Sequence, residues 1–393
     1  MTIGETLRTY PFEPFHGDLP DELLRMVWAE PVSRVELPGG RPAWLVVGYD
    51  EVCTVLADAR FTRHGDPYPT GAPDTGGGCP VRELSMNGPA HTSLRRLAAR
   101  AFTARRVEAY RPRVQQITDE LLDEVVAGGS PADLIAGLVA PLPVRVICEV
   151  LGVPLADRDR FAEWTAAILA IAGQDSPEAV QAVAELRAYL AGRLAAKREH
   201  PGDDLFSAWL AAQAEDELSD EEIVGLAVGV LIGGREINST SAGLRALFLH
   251  PEQLDRLRAD PGLLPAAVDE ILRWTSVSPM FLPQTAVADV ELAGHLIRAG
   301  DTVMAVPWAA NRHPDVFPDP GAFDIGRPQN PHLAFGHGPH FCLGAALGRL
   351  QIEVAIGTLL RRFPALRPAV PLDELPWRQE RINCGIAEFP VAW

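Results

Sequence analysis

Cys342 sits in a glycine-rich loop, Phe335-Gly336-His337-Gly338-Pro339-His340-Phe341-Cys342-Leu343-Gly344, just ahead of the alanine-rich run Ala345-Ala346-Leu347-Gly348-Arg349-Leu350. A thiolate placed there gains from the positive end of the following helix and from backbone N–H groups turned toward the sulfur. Gly338 and Gly344 let a flat group approach the backbone closely. A lone cysteine is more often a buried structural thiol. The fixed spacing of Phe335, Gly338, His340, Cys342 and Gly344 argues here for a ligand instead. Three other pairs could do chemistry. His91 and Arg95 stand four apart, so they share one helical face and could hold two carboxylates, although a solvated basic face has the same spacing. Glu270 and Arg273 stand three apart among Ala266, Ala267, Val268, Ile271 and Leu272, neighbours that imply burial. On a surface that pair would be worth little. Gly233-Gly234 interrupt an apolar helix at a cost of about 1 kcal/mol each relative to alanine. They mark either a packing notch or a local opening where a small ligand meets the backbone.

The elements that must position these residues are mostly helical. A long buried helix is expected over 219–250, with Ser219 as N-cap and Glu221-Glu222 in its first turn. Further helices are expected over 21–29, 50–57, 91–102 and 265–274, and after Cys342 to about 363. From 114 to 212 the pattern is helical, broken at Pro and Gly clusters such as Gly128-Gly129-Ser130-Pro131 and His200-Pro201-Gly202. Strand pattern and turn chemistry give a hairpin over 34–37 and 43–48, a strand over 277–282 and a second hairpin over 289–301. The stretch 61–88 is a long Pro- and Gly-rich loop, the kind that usually carries function.

Composition narrows the classes. With 393 residues and 47% hydrophobic content, the chain can bury a large core. No apolar run is long enough to span a membrane, and the start shows no secretory signal, so a cytoplasmic protein without an anchor is expected. The five cysteines are scattered, which argues for a reducing compartment and against a disulfide framework or zinc site. A net charge of −17 argues against nucleic acid. Between His91 and Arg113, however, seven arginines face Glu108 alone, which suits an acidic docking partner.

The cysteine loop suits a haem iron held by one axial thiolate, and it resembles the haem-binding loop of the cytochrome P450 enzymes. The resemblance covers nearly the whole chain in four ordered motifs. His91 and Arg95 look like the pair that binds haem propionates, with His340 as a further contact. Glu270 and Arg273 look like the ion pair that locks the core behind the haem loop, with Arg312 as the expected third partner. Gly233-Gly234-Arg235-Glu236-Ile237-Asn238 looks like the oxygen-site stretch of the central helix. There the family usually has a threonine where this chain has Ile237. That hydroxyl helps deliver protons as O2 is reduced, and isoleucine has neither donor nor acceptor. Either the substrate's own hydroxyl or an ordered water replaces it, or the reaction needs less proton delivery. Asn238, about 100° further round the helix, is left as a candidate. A second departure is Gln284, a neutral amide where relatives commonly place an arginine on a propionate.

The resemblance implies one mainly α domain over 1–393, a helical prism with a smaller β region near 30–60, 275–305 and 370–393. It implies haem b between the central helix and the helix after Cys342. The implied activity is monooxygenation of an apolar small molecule by a monomer, with O2 and electrons from NAD(P)H through ferredoxin reductase and ferredoxin. Leu84, Met86, Ile232, Met280, Phe281, Leu282 and Ile386 are the expected pocket. Desaturation, coupling or rearrangement without oxygen insertion is the rival reading. A non-catalytic homologue that activates a partner would usually have given up the cysteine that is intact here.

Overall fold

In the computed structural model, described over residues 7–14, 16–63, 87–168, 177–216, 218–234, 238–275, 283–378 and 384–393, helices dominate. A large apolar core runs through them, from Leu94 and Leu97 to Leu359 and Phe389. Two smaller apolar clusters flank the main sheet, one around Leu23, Val35 and Met304 and one around Trp44, Val55 and Val303.

The cysteine helix, Ala345–Arg362, packs against Arg111–Gly128 and Leu264–Trp274, so the cysteine-loop region leans on the centre of the helical core. The single helix expected over 219–250 is described as two, Asp220–Gly233 and Asn238–Leu249, with 235–237 outside the described residues. Ser219 caps the first in a capping box with Glu222, as its sequence signature predicts. Two further helices, Arg158–Ile168 and Pro177–Glu199, pack on each other.

The main sheet takes strands from distant parts of the chain, in the order Arg8–Thr9, Val32–Leu37, Arg41–Val46, Thr302–Ala305, Gln284–Ala286, Phe61–Thr62. The first hairpin lies where its turn chemistry puts it, with Val32 opposite Val46 and Leu37 opposite Arg41. At the other edge Phe61 pairs Ala286 and Thr62 pairs Thr285, antiparallel. The second hairpin is Val290–Leu292 with His295–Ile297. Ala132–Asp133, inside the stretch expected to be helical, instead pairs Pro390–Ala392, which also pairs Arg367–Pro368. Two-residue strands such as this have too little pattern to be seen before their partners are known. The expected strand over 277–282 lies outside the described residues.

Candidate functional site: a thiolate loop beside a basic cluster

Cys342 is exposed, whereas Cys148 and Cys384 are buried and Cys53 is half-buried. Burial pushes the Cys148 and Cys384 thiols up to about 11, so neither is a ready thiolate. The backbone of Cys342 is fastened while its side chain is presented. Its N–H donates to Phe335 O at 2.8 Å, and its C=O accepts from Ala345 N–H at 3.4 Å, tying it to the first turn of its helix. Gly338 has φ +70°, and a Cβ there would lie 2.7 Å from both Leu56 O and Ala57 Cα, so only glycine lets the loop sit on the Tyr49–Ala57 helix. A Cβ on Gly344 would meet nothing within 4 Å, which leaves the loop face open as expected.

Basic side chains gather beside the loop. Arg95, on the helix Gly88–Ala101, donates to Phe341 O, one residue before the cysteine. Burial works against its charge, and the Cys342 thiolate favours it. The His91 and His340 rings lie 4.1 Å apart, tilted by 30°. His340 Nε2 lies 3.3 Å from Asn87 Oδ1, and Asn87 Nδ2 donates to Arg63 O at 3.2 Å. Burial, then the charges of Arg95 and Arg63, push His91 down to about 4. Burial, then Arg63, His91 and Arg95, push His340 down to about 3. The charges that act on these two imidazoles among the described residues are all positive, so an anion would be well received there. An exposed thiolate candidate, an open glycine face and a half-buried basic cluster fit a flat, iron-bearing dicarboxylate such as haem.

Behind the loop the polar groups are tightly satisfied. Glu270 and Arg273 are fully buried and bind each other through two hydrogen bonds of 2.7 and 2.8 Å. Arg273 also donates to the carbonyls of Asn311, Pro320 and Ala322. The expected third partner is corrected: Arg327, not Arg312, reaches Glu270, with Nε 3.1 Å from Oε2. Arg312 donates to Trp274 O and Pro320 O and stacks 3.6 Å from the Trp274 ring centroid. Burial, together with the Arg273 charge, disfavours its cation. It therefore acts structurally, through backbone carbonyls. Asp324 N–H and Asn330 Nδ2 complete the Glu270 shell. A second link runs from Asp269 to Arg349 Nε at 2.7 Å and to His332 Nε2 at 3.3 Å, and Arg349 lies over the Phe335 ring. Burial works against the Asp269 carboxylate, but His332 and Arg349 more than offset it and hold its pKa below the usual range.

The chain is 43% identical to mycinamicin IV hydroxylase/epoxidase of Micromonospora griseorubida, with 100% of both chains covered. It belongs to the cytochrome P450 family. The cytochrome P450 family profile itself matches residues 178–373. Nocardicin C N-oxygenase of Nocardia uniformis subsp. tsuyamanensis is 42% identical, again over 100% of both. A solved cytochrome P450 with biaryl coupling reactivity superimposes with a TM-score of 0.88 at 37% identity, covering 99% of this chain and 100% of that one. This P450 is a haem-containing oxidoreductase of the monooxygenase type.

The distal side is less fully described. Leu84, Met86, Glu236, Ile237, Met280, Phe281 and Leu282 lie outside the described residues. Gly233 and Gly234 divide the two readings of the glycine pair. A Cβ on Gly233 would meet nothing within 4 Å, while one on Gly234 would strike Ile147 at 2.8 Å. The first is an opening and the second a packing notch. Asn238 is buried, and its Nδ2 donates to Cys384 O at 2.7 Å, so its amide is turned to the C-terminal strand pair Trp377–Arg378 and Gly385–Ile386. Ile232 and Ile386 are both buried in the main apolar core.

Sequence reasoning missed Arg63, Asn87, Asp269, Asn311, Arg327, His332 and Arg349. Arg327 had a visible signal, since it closes the turn-rich run Phe323-Asp324-Ile325-Gly326-Arg327. The basic segment also changes meaning. Arg111 pairs with Glu108 and Glu353, Arg113 with Glu149, and Arg95 turns inward, so the outward face rests on residues such as the exposed Arg96 and Arg105. Among the described residues, no helix is long and apolar enough to cross a membrane.

Proposed function

We propose that this P450 inserts one oxygen atom of O2 into an apolar, natural-product-like molecule, by hydroxylation or epoxidation. The observation that carries this is the exposed Cys342 on its fastened loop beside Arg95, His91 and His340. When bound, haem with a thiolate ligand activates O2, because the sulfur's electron density favours O–O cleavage. One oxygen atom enters the substrate; the other leaves as water, consuming two electrons and two protons.

The chain's own residues do the rest. Cys342 holds the iron, and Phe335 backs its loop by accepting from the Cys342 N–H. His91, Arg95 and His340 receive the carboxylates. Gly233 keeps the helix face open and shapes the oxygen site with Glu236, where the substrate's hydroxyl or an ordered water replaces the alcohol missing at Ile237. Leu84, Met86, Ile232, Met280, Phe281, Leu282 and Ile386 line the substrate pocket. Asn238 holds the C-terminal hairpin that carries Ile386. A ferredoxin, reduced by NAD(P)H through its reductase, docks near Arg96 and Arg105, steered by opposite charge. The protein works as a cytoplasmic monomer, a single domain over 1–393. Antibiotic biosynthesis is the supported context, since the two curated relatives above are named for oxidising mycinamicin IV and nocardicin C.

Coupling without oxygen insertion is the second reading. It draws on Ile237 and on the relative with biaryl coupling reactivity. Turnover of a bound substrate under isotopically heavy O2 separates the two. The first reading expects one heavy oxygen atom in the product; a product with none overturns it in favour of the second.

A further inference from the structure

We propose that Arg63 is a haem-carboxylate residue of this chain, supplying from the neighbouring strand the cation that Gln284 lacks. The inference rests on the haem assignment and is independent of the substrate. Thr62 pairs Thr285 at the sheet edge, and continuing that antiparallel register by one residue puts Arg63 opposite Gln284. Gln284 is buried, and its Oε1 accepts no hydrogen bond among the described residues, so this position offers a neutral amide and no charge. Arg63 is not a bystander to the histidine pair. Its carbonyl accepts from Asn87, whose other amide atom meets His340. Its charge is felt by both His91 and His340. Haem carries two carboxylates, and a guanidinium stays charged at any physiological pH. Arg95 alone could balance one of them. Arg63 and Arg95 together balance both, so the cation has moved across one strand pair and the charge match is kept.

Haem loss from the purified holoprotein to excess apomyoglobin, followed by absorbance, tests this. Arg63→Gln should release haem on the order of tenfold faster, the effect of losing one charge-assisted hydrogen bond. Arg63→Lys should stay within about threefold of the native protein, because the charge remains. The double variant Arg63→Gln with Gln284→Arg should recover the native rate to within about threefold, because it restores a cation to the site. The thiolate-type carbonyl band of each reduced variant checks that Cys342 still ligates, which separates failure at Arg63 from failure of the haem site itself. Release from Arg63→Gln at the native rate overturns the proposal, as does faster release that Gln284→Arg does not recover. Should Arg63→Gln yield no holoprotein, Gln284→Arg alone decides. If Arg63 already serves the site, an added cation changes release by less than about threefold; if the site lacks a cation, release slows about tenfold or more, and the proposal falls.

Discussion

Glu270 accepts hydrogen bonds from Arg273, Asp324, Arg327 and Asn330, so the segment leading to the cysteine loop is bolted to the helix Leu264–Trp274. The buried helix Asp220–Gly233 is built in the opposite way. It buries Ile223, Val224, Leu226, Val228 and Leu231, and it ends on a glycine that faces open space among the described residues. The difference fits the roles proposed for the two regions. A thiolate ligand must stay at one distance from one metal, and a network of satisfied buried charges is stiff. A face that receives O2 and a substrate needs room and few competing polar groups.

Breaking the bolted side should have the largest effect. Glu270→Ala leaves the buried Arg273 and Arg327 cations without their carboxylate, which costs about 3–5 kcal/mol. Haem content per chain and the urea midpoint should both fall sharply. Arg327→Lys, which keeps the charge but loses the guanidinium geometry, should cost less on both readouts. A Glu270→Ala protein with full haem content and an unchanged midpoint would remove the contrast. Asn238→Ala comes next. It strips the buried Cys384 carbonyl of its donor and should cost about 1–3 kcal/mol. Haem content should hold, because the bond lost fastens the Cys384 carbonyl and not the Cys342 loop. The glycine pair sharpens the comparison with the smallest effects. Gly234→Ala forces its Cβ onto Ile147 and should destabilise by about 1–3 kcal/mol. Gly233→Ala should be neutral or stabilise by up to about 1 kcal/mol. Equal effects at the two positions, read as urea midpoints, would mean that neither the opening nor the notch is real.

The site was legible where its residues lie close in sequence. Phe335 to Gly344, His91 with Arg95, and Glu270 with Arg273 are each set by helical or loop spacing, so their types and intervals carry the chemistry. The partners that complete them are far away along the chain. Arg327 meets Glu270 across 57 residues and Arg349 meets Asp269 across 80, and no periodicity links such positions before folding. Arg312 shows the cost of that gap. It enters the same buried knot but turns to Trp274 and Pro320 carbonyls, a choice only the packed structure reveals. Arg63 was hidden for another reason: it follows a two-residue strand, Phe61–Thr62, whose partner, Gln284–Ala286, lies more than two hundred residues on. The fold followed the same rule. The helices Leu264–Trp274 and Ala345–Arg362 lie within a few residues of their expected bounds, while two-residue strands such as Ala132–Asp133 depend on their neighbours and were not foreseen.

The central claim is that the Cys342 thiolate holds the haem iron from a loop fixed by the groups behind it. The most direct test is the carbonyl difference spectrum of the reduced holoprotein beside that of Cys342→Ala. The account predicts a thiolate-type band in the native protein and its loss in the variant, even where the variant retains haem. The same band in Cys342→Ala, or none in haem-replete native protein, would contradict it.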